Sequence, residues 1–204
     1  LLDKLCVIKL NGGLGTGMGL EKAKSLIPVK DGLTFLDFIA RQILWLRRTQ
    51  GTVGPRFLLM DSFSTSADTL DYLARYPDLS PDGPLDFLQN KVPKLHPDTL
   101  EPVTWAESPD LEWCPPGHGD LYPSLLGLGW LQRLADAGVE YLFVSNSDNL
   151  GATVDPALLR YFAASGLSFL MEVAERTASD RKGGHLARRC SDSRLVLREV
   201  AQCP

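Results

Sequence analysis

Only three histidines and four cysteines occur among the 204 residues, and they do not form the paired clusters that a structural zinc site needs. Cys6, Cys114, Cys190 and Cys203 make no C-x-x-C pair. Cys114 stands four residues before His118, but no second ligand pair accompanies it, so free reduced thiols are expected. Basic residues are also scarce. Lys and Arg number 21 against 25 Asp and Glu, a net charge of -4, and no basic stripe interleaved with aromatics runs along the chain. That composition speaks against a nucleic-acid partner. No apolar run approaches the ~18 residues of a membrane span, and "LLDKLCVIKL" carries Asp3 and Lys4 where a signal peptide would be apolar. A membrane partner is not expected, and the chain reads as cytoplasmic. No Ser-His-Asp or Cys-His signature is present, so covalent catalysis by a side chain is not indicated. What remains is 44% hydrophobic content, ordinary for a soluble globular protein with one sizeable core or two small ones. The chain begins on Leu1 and reads as part of a longer protein.

Strand and helix patterns alternate. "KLCVIKL" (4–10) and "RFLLM" (56–60) are short apolar runs of the buried-strand type, and "VEYLFVSNSDN" (139–149) is a third that ends in polar residues. Residues 34–49 place Phe35, Leu36, Ile39, Ile43 and Leu46 at helical spacing behind a capping box of Thr34 and Asp37. Further helices are expected over 66–76, over 122–138 with Gly138 as the stop, and from the Asp155-Pro156 start to Gly166. Strands are also expected at 86–90, 102–106, 167–175 and 194–201. This order predicts an α/β fold, a mostly parallel mixed sheet with helices on both faces, whose ligands bind beyond the strands' C-terminal ends.

Between the first strand and residue 29 lies "NGGLGTGMGLEKAKSLIPV", with Gly12, Gly13, Gly15, Gly17 and Gly19 followed by Lys22 and Lys24. Glycines let the backbone approach a ligand, and inward-turned N–H groups make an anion site, so a phosphate is the natural candidate. The dinucleotide pattern G-x-G-x-x-G fails, because Met18 or Leu20 holds its last position. The P-loop also fails, because Met18 stands where lysine is required after Gly17. A solvated surface loop is the plainer alternative. Two further stations stand out. "CPPGHGD" (114–120) stiffens and bares the backbone around His118, as a ligand clamp would. "SNSDNLG" (145–151) ends a strand with Asp148, a hard oxygen donor suited to Mg²⁺, beside Asn146 and Asn149; an Asx-rich turn is the alternative.

Taken in order, "KLNGGLGTGMG" with "KAKS", "QNKVPK", "WCPPGHGD", "SNSDNLGATVDP" and "ERTASDRKGGHLAR" resemble the UTP-glucose-1-phosphate uridylyltransferases, also called UDP-glucose pyrophosphorylases. The resemblance covers almost the whole chain. It implies a Rossmann-like, GT-A-like nucleotidyltransferase domain, of which residues 1–204 are the N-terminal and central part. It also implies the reversible conversion of UTP and glucose 1-phosphate to UDP-glucose and pyrophosphate, with Mg²⁺ as cofactor. By the same resemblance Leu10, Asn11, Gly12 and Gly13 contact the nucleotide, with Gly12 and Gly13 also on the substrate side. Lys24 becomes the phosphate-binding, catalytic lysine, Gln89 and Gly117 serve the uracil side, and Asp148 holds the metal. His118 contacts the sugar phosphate, and Asn146 with Gly183 or Gly184 faces the glucose. Lys182 in "DRKGG" has at most a secondary role. The family's second phosphate-contacting lysine and its C-terminal β-helix domain fall outside residues 1–204. A broader UDP-sugar pyrophosphorylase and a nucleotide-binding module without turnover stand as alternatives.

Overall fold

The computed structural model describes residues 1–15, 19, 22–80, 83–175, 177–178 and 183–199. They fall into two compact units, Leu1–Ala164 and Ser165–Pro204. In the first, a four-stranded sheet has the order β5-β4-β1-β8, with β1 Leu5–Leu10, β4 Arg56–Asp61, β5 Asp86–Leu88 and β8 Tyr141–Asn146. Every pairing is parallel, so Leu10, Asp61, Leu88 and Asn146 end at one edge. Two short ribbons lie outside it, β2 Pro28–Lys30 with β3 Leu33–Thr34, and β6 Val92–Pro93 with β7 Trp113–Cys114.

The apolar run of β1 follows from its central place, since a parallel strand covered on both faces has no polar side. Leu5 and Val7 pack with Leu36, Ile39, Ala40, Ile43 and Leu46 of α1 (Phe35–Gln50), joined by Leu73 of α2 (Ser66–Leu73) and Leu159 of α5 (Pro156–Ser165). Cys6 and Ile8 pack on the other face against Leu121 and Leu125 of α3 (Leu121–Gly127) and Leu134 of α4 (Trp130–Asp136). Each leucine, isoleucine or valine among them contributes roughly 1.5–3 kcal/mol on burial. The expected helices on both faces are therefore present, and all four strands of the main sheet are parallel.

The capping box of α1 forms as its sequence implies. Thr34 Oγ1 accepts from Asp37 N at 3.3 Å, and Asp37 Oδ2 accepts from Thr34 N at 2.7 Å. Burial alone would raise the Asp37 carboxyl, but hydrogen bonds from Tyr72, Thr34 and Tyr76 outweigh it and bring it down to about 2. The start at Leu2–Asp3 is packed against Gly54 so closely that a Cβ there would sit 2.3 Å from Leu2 O. Gly54→Ala should cost about 1–3 kcal/mol, because backbone atoms on both sides must yield, and a denaturant midpoint equal to the parent's would refute it.

Three expected elements differ. The helix over 122–138 is two, α3 and α4, because Gly129 adopts φ 71° between them. Residues 102–106 form no strand, only a single bridge of Pro102 to Leu95. Residues 167–175 carry strand-forming side chains yet pair with nothing among the described residues, leaving Phe169 and Val173 exposed. A strand is made by its partner, and composition alone does not supply one. In the second unit β9 (Gly184–Arg188) and β10 (Leu195–Glu199) form an antiparallel ribbon. Among the described residues no helix is long and apolar enough to cross a membrane.

Candidate active site

At the C-terminal edge of the sheet the chain leaves β1 and crosses to both neighbours. Asn11 N donates to Met60 O of β4 at 2.8 Å, and Ser147 N, just past β8, donates to Leu10 O at 3.0 Å. The glycine segment is thereby anchored at its start. Lys24 N donates to Gly13 O at 3.1 Å and closes the excursion into a loop, of which residues 16–18, 20 and 21 lie outside the described residues.

Closing the loop brings the Lys24 side chain across to β8. Lys24 Nζ and Asp148 Oδ2 are 2.6 Å apart, with the two side chains 41% and 32% exposed. An ion pair this accessible contributes on the order of 0–1 kcal/mol, so an incoming ligand can open it cheaply. The two residues that sequence separates by 124 positions thus share one spot.

Asn11 spends its side chain inward. Its Nδ2 donates to Asp61 Oδ1 at 2.7 Å and Thr69 Oγ1 at 3.0 Å, leaving the residue 3% exposed, so any nucleotide contact from Asn11 must come from its backbone. Asp61 is the hub beneath the loop, and Thr65 Oγ1 also donates to Oδ1 at 2.9 Å. Its Oδ2 is buried with no hydrogen-bond partner among the described residues. Burial outweighs the donors from Thr65, Asn11 and Thr69, and with Asp86 nearby the carboxyl is pushed up to about 7.

Gly12 is shaped by its neighbour. A Cβ on it would lie 1.8 Å from Gln89 Nε2, so the glycine makes room for that side chain. Gln89 follows β5, its N–H donates to Asp61 O at 2.8 Å, and its Oε1 is buried and unpartnered among the described residues. The adjoining Asn90 donates through N and Nδ2 to Asp120 at 2.6 and 3.0 Å. Burial opposes the charge on Asp120, but those donors and Ser124 Oγ hold its carboxyl below the usual range. Asp120 closes the turn His118–Asp120, whose lead residue Gly117 has φ 111°, a conformation that favours glycine. His118 on that turn is exposed.

The structure therefore gathers Leu10, Asn11, Gly12, Gly13, Lys24, Gln89, Asn146 and Asp148 on segments at one sheet edge and ties the Gly117–His118 turn to Asn90. Gly184 lies in the second unit, where it makes room for Leu197, since a Cβ would be 2.8 Å from Leu197 Cδ1. Lys182 lies outside the described residues. Asp61 and Asp120 were not singled out from sequence. A carboxylate at the end of the buried run "RFLLMD" was the available signal for the first.

No group of three or more His, Cys, Asp or Glu able to hold a metal ion occurs among the described residues. Asp148 offers one carboxylate, with one oxygen in the Lys24 pair and the other free of hydrogen bonds among the described residues. That donor set suits Mg²⁺, which commonly takes one or two carboxylates and completes its shell with water and substrate phosphates.

Residues 1–204 match the profile of the family described as UTP-glucose-1-phosphate uridylyltransferase. Curated relatives of that name from Saccharomyces cerevisiae and Encephalitozoon cuniculi are 46% and 45% identical over 204 residues, all of this chain and 40% of each relative. The chain thus spans about two fifths of their length. A crystal structure of UDP-glucose phosphorylase from Trypanosoma brucei is similar at 52% identity and TM-score 0.93, covering all of this chain and 44% of that one. A UDP-glucose pyrophosphorylase mutant from Leishmania major, solved in complex with UDP-glucose, is similar at 53% identity and TM-score 0.87, covering all of this chain and 45% of that one.

Proposed function

This chain belongs to the UTP-glucose-1-phosphate uridylyltransferase family, and from that premise we propose that this edge of its sheet binds UTP and passes the uridylyl group to glucose 1-phosphate, with Mg²⁺ as cofactor. The observation that carries the reading is the Lys24–Asp148 contact of 2.6 Å beside the glycine loop. In the forward direction a phosphate oxygen of glucose 1-phosphate bonds to the α-phosphorus of UTP, and the bond from that phosphorus to the bridging oxygen breaks. UDP-glucose and pyrophosphate result. Two polyanions must be held in line, which needs positioning and positive charge more than a nucleophile. Lys24 supplies a point charge to the phosphates, and backbone N–H groups of Gly12 and Gly13 supplement it. Mg²⁺ held by Asp148 would neutralise charge on the phosphate oxygens.

The unpartnered Oε1 of Gln89 suits an N–H donor, as on the edge of a uracil ring, and Gly117 leads into the turn tied to the adjoining Asn90. His118 is exposed and available to the sugar phosphate, with Asn146 assigned to the glucose. Residues 1–204 are read as the N-terminal and central part of the nucleotidyltransferase domain. Cys6, Cys114 and Cys190 are free, in keeping with a cytoplasmic setting. The test uses the full-length protein with UTP, glucose 1-phosphate and Mg²⁺. Pyrophosphate should be released, and UTP at about 100 times its Kd should add about 2.7 kcal/mol of stability in a thermal shift. Absence of both would remove the proposal, and equal rates with galactose 1-phosphate would favour a broader UDP-sugar enzyme.

A further inference from the structure

We propose that Lys9 is a positioning residue that fixes both ends of the segment carrying Asn146 and Asp148. Lys9 lies on the central strand β1 and is 2% exposed. Its Nζ donates to Ser145 Oγ at 2.7 Å, its cross-strand neighbour near the end of β8, and to Ala152 O at 3.0 Å, at the far end of the turn that follows β8. No carboxylate pairs with it among the described residues, and the ring of Phe143 lies 6.0 Å from the ammonium.

A buried ammonium without a counter-ion is costly, and burial lowers the Lys9 amine to about 8. An apolar residue would suit that layer better. Val7, Ile39, Ile43 and Leu46 line the same cavity beneath α1 as the Lys9 stem. What lysine adds there is several donors at one point, and two of them bracket a segment that Ser147 N to Leu10 O at 3.0 Å and Gln42 Nε2 to Leu150 O at 3.2 Å also tie to the fold. Inside the turn, Asn149 N donates to Asn146 O at 3.2 Å and Ala152 N to Asn149 O at 3.4 Å. Lys9 binds that turn to the most buried strand of the sheet. Asp148, halfway along it, inherits its place opposite Lys24 from this clamp.

The inference rests on the reading of Asp148 as a phosphate-side and metal residue only for its kinetic arm; its structural arm is independent. In the full-length protein, Lys9→Met keeps the length and apolar stem while removing the donors. Hydrogen exchange of the amides from Ser147 to Ala152 should quicken at least about tenfold while those of β4 and α1 stay unchanged. With UTP and glucose 1-phosphate, kcat and the affinity for Mg²⁺ should fall about 10- to 100-fold, the range seen when a group orienting a metal ligand is lost. Exchange unchanged across the turn overturns the proposal. Ser145→Ala removes one anchor without touching the core, and a turn that exchanges no faster in that variant overturns the proposal even should Lys9→Met fail to fold. Faster exchange in a protein that releases no pyrophosphate would strike the proposed function and leave the clamp standing.

Discussion

Lys24→Ala should lower kcat for pyrophosphate release from UTP and glucose 1-phosphate by about 10²- to 10³-fold, the usual loss when one preorganised charge or donor is taken from a developing anion. The stability change should be small, because the Lys24–Asp148 pair is 41% and 32% exposed and contributes at most about 1 kcal/mol. That contrast makes the experiment informative. Asp148 would be left without the competing ammonium, so the Mg²⁺ needed for half-maximal rate should not rise even as kcat falls. Steady-state kinetics of the full-length protein decide the matter, and a kcat within threefold of the parent would sink the assignment of Lys24 to the phosphates. Lys24→Arg is not expected to restore the parent's rate. A planar guanidinium cannot replace a compact ammonium held by a backbone bond from Lys24 N to Gly13 O at 3.1 Å.

The second large effect concerns pH and stability. Asp61 titrates near 7 in the folded chain against 3.8 for a free carboxyl, with burial the leading cause. The shift is upward, so its contribution is fully present below pH 3.8 and is lost as pH rises to about 7, where the folded state must accept a buried charge. A displacement of about 3 units at about 1.4 kcal/mol each predicts a loss of about 4 kcal/mol across that window. Asp61→Asn removes the titration while keeping an oxygen where Asn11 Nδ2, at 2.7 Å, and Thr65 Oγ1, at 2.9 Å, donate. Any cost of the new buried amide is the same at every pH. Denaturation of parent and variant from pH 4 to 8 should therefore give curves that diverge by about 4 kcal/mol, with the variant gaining toward the alkaline side. Parallel curves would mean that Asp61 is already ionised at low pH. Asp37, held down at about 2, acts below this window and in the opposite sense.

Much of the sheet was legible because its signals are local. The apolar runs of β1 and β4 read as buried strands, and Thr34 with Asp37 marked the start of α1 three residues apart. The break at Gly129 was harder to read, because Gly127 and Gly129 in "LLGLGW" sit inside an otherwise helical period and either could be tolerated there. Residues 167–175 failed for a non-local reason, since pairing depends on what lies alongside. The same division holds at the site. The glycine loop, His118 and Asp148 announce themselves by composition, whereas the roles of Asp61 and Lys9 depend on distant partners, Asn11 for the first and Ser145 and Ala152 for the second. Lysine inside the run "CVIKL" was a visible anomaly, but only Ser145 and Ala152 at the end of its side chain give it a role.

Gly12 and Gln89, finally, occupy a single allotment of space divided between two chain positions 77 residues apart. A methyl group at 12 would overlap the amide of Gln89 at 1.8 Å, and that amide has little room to retreat because Gln89 is only 7% exposed. Inheritance at this corner is therefore coupled. A lineage cannot enlarge position 12 and keep its glutamine in place; the loop and the end of β5 must change together.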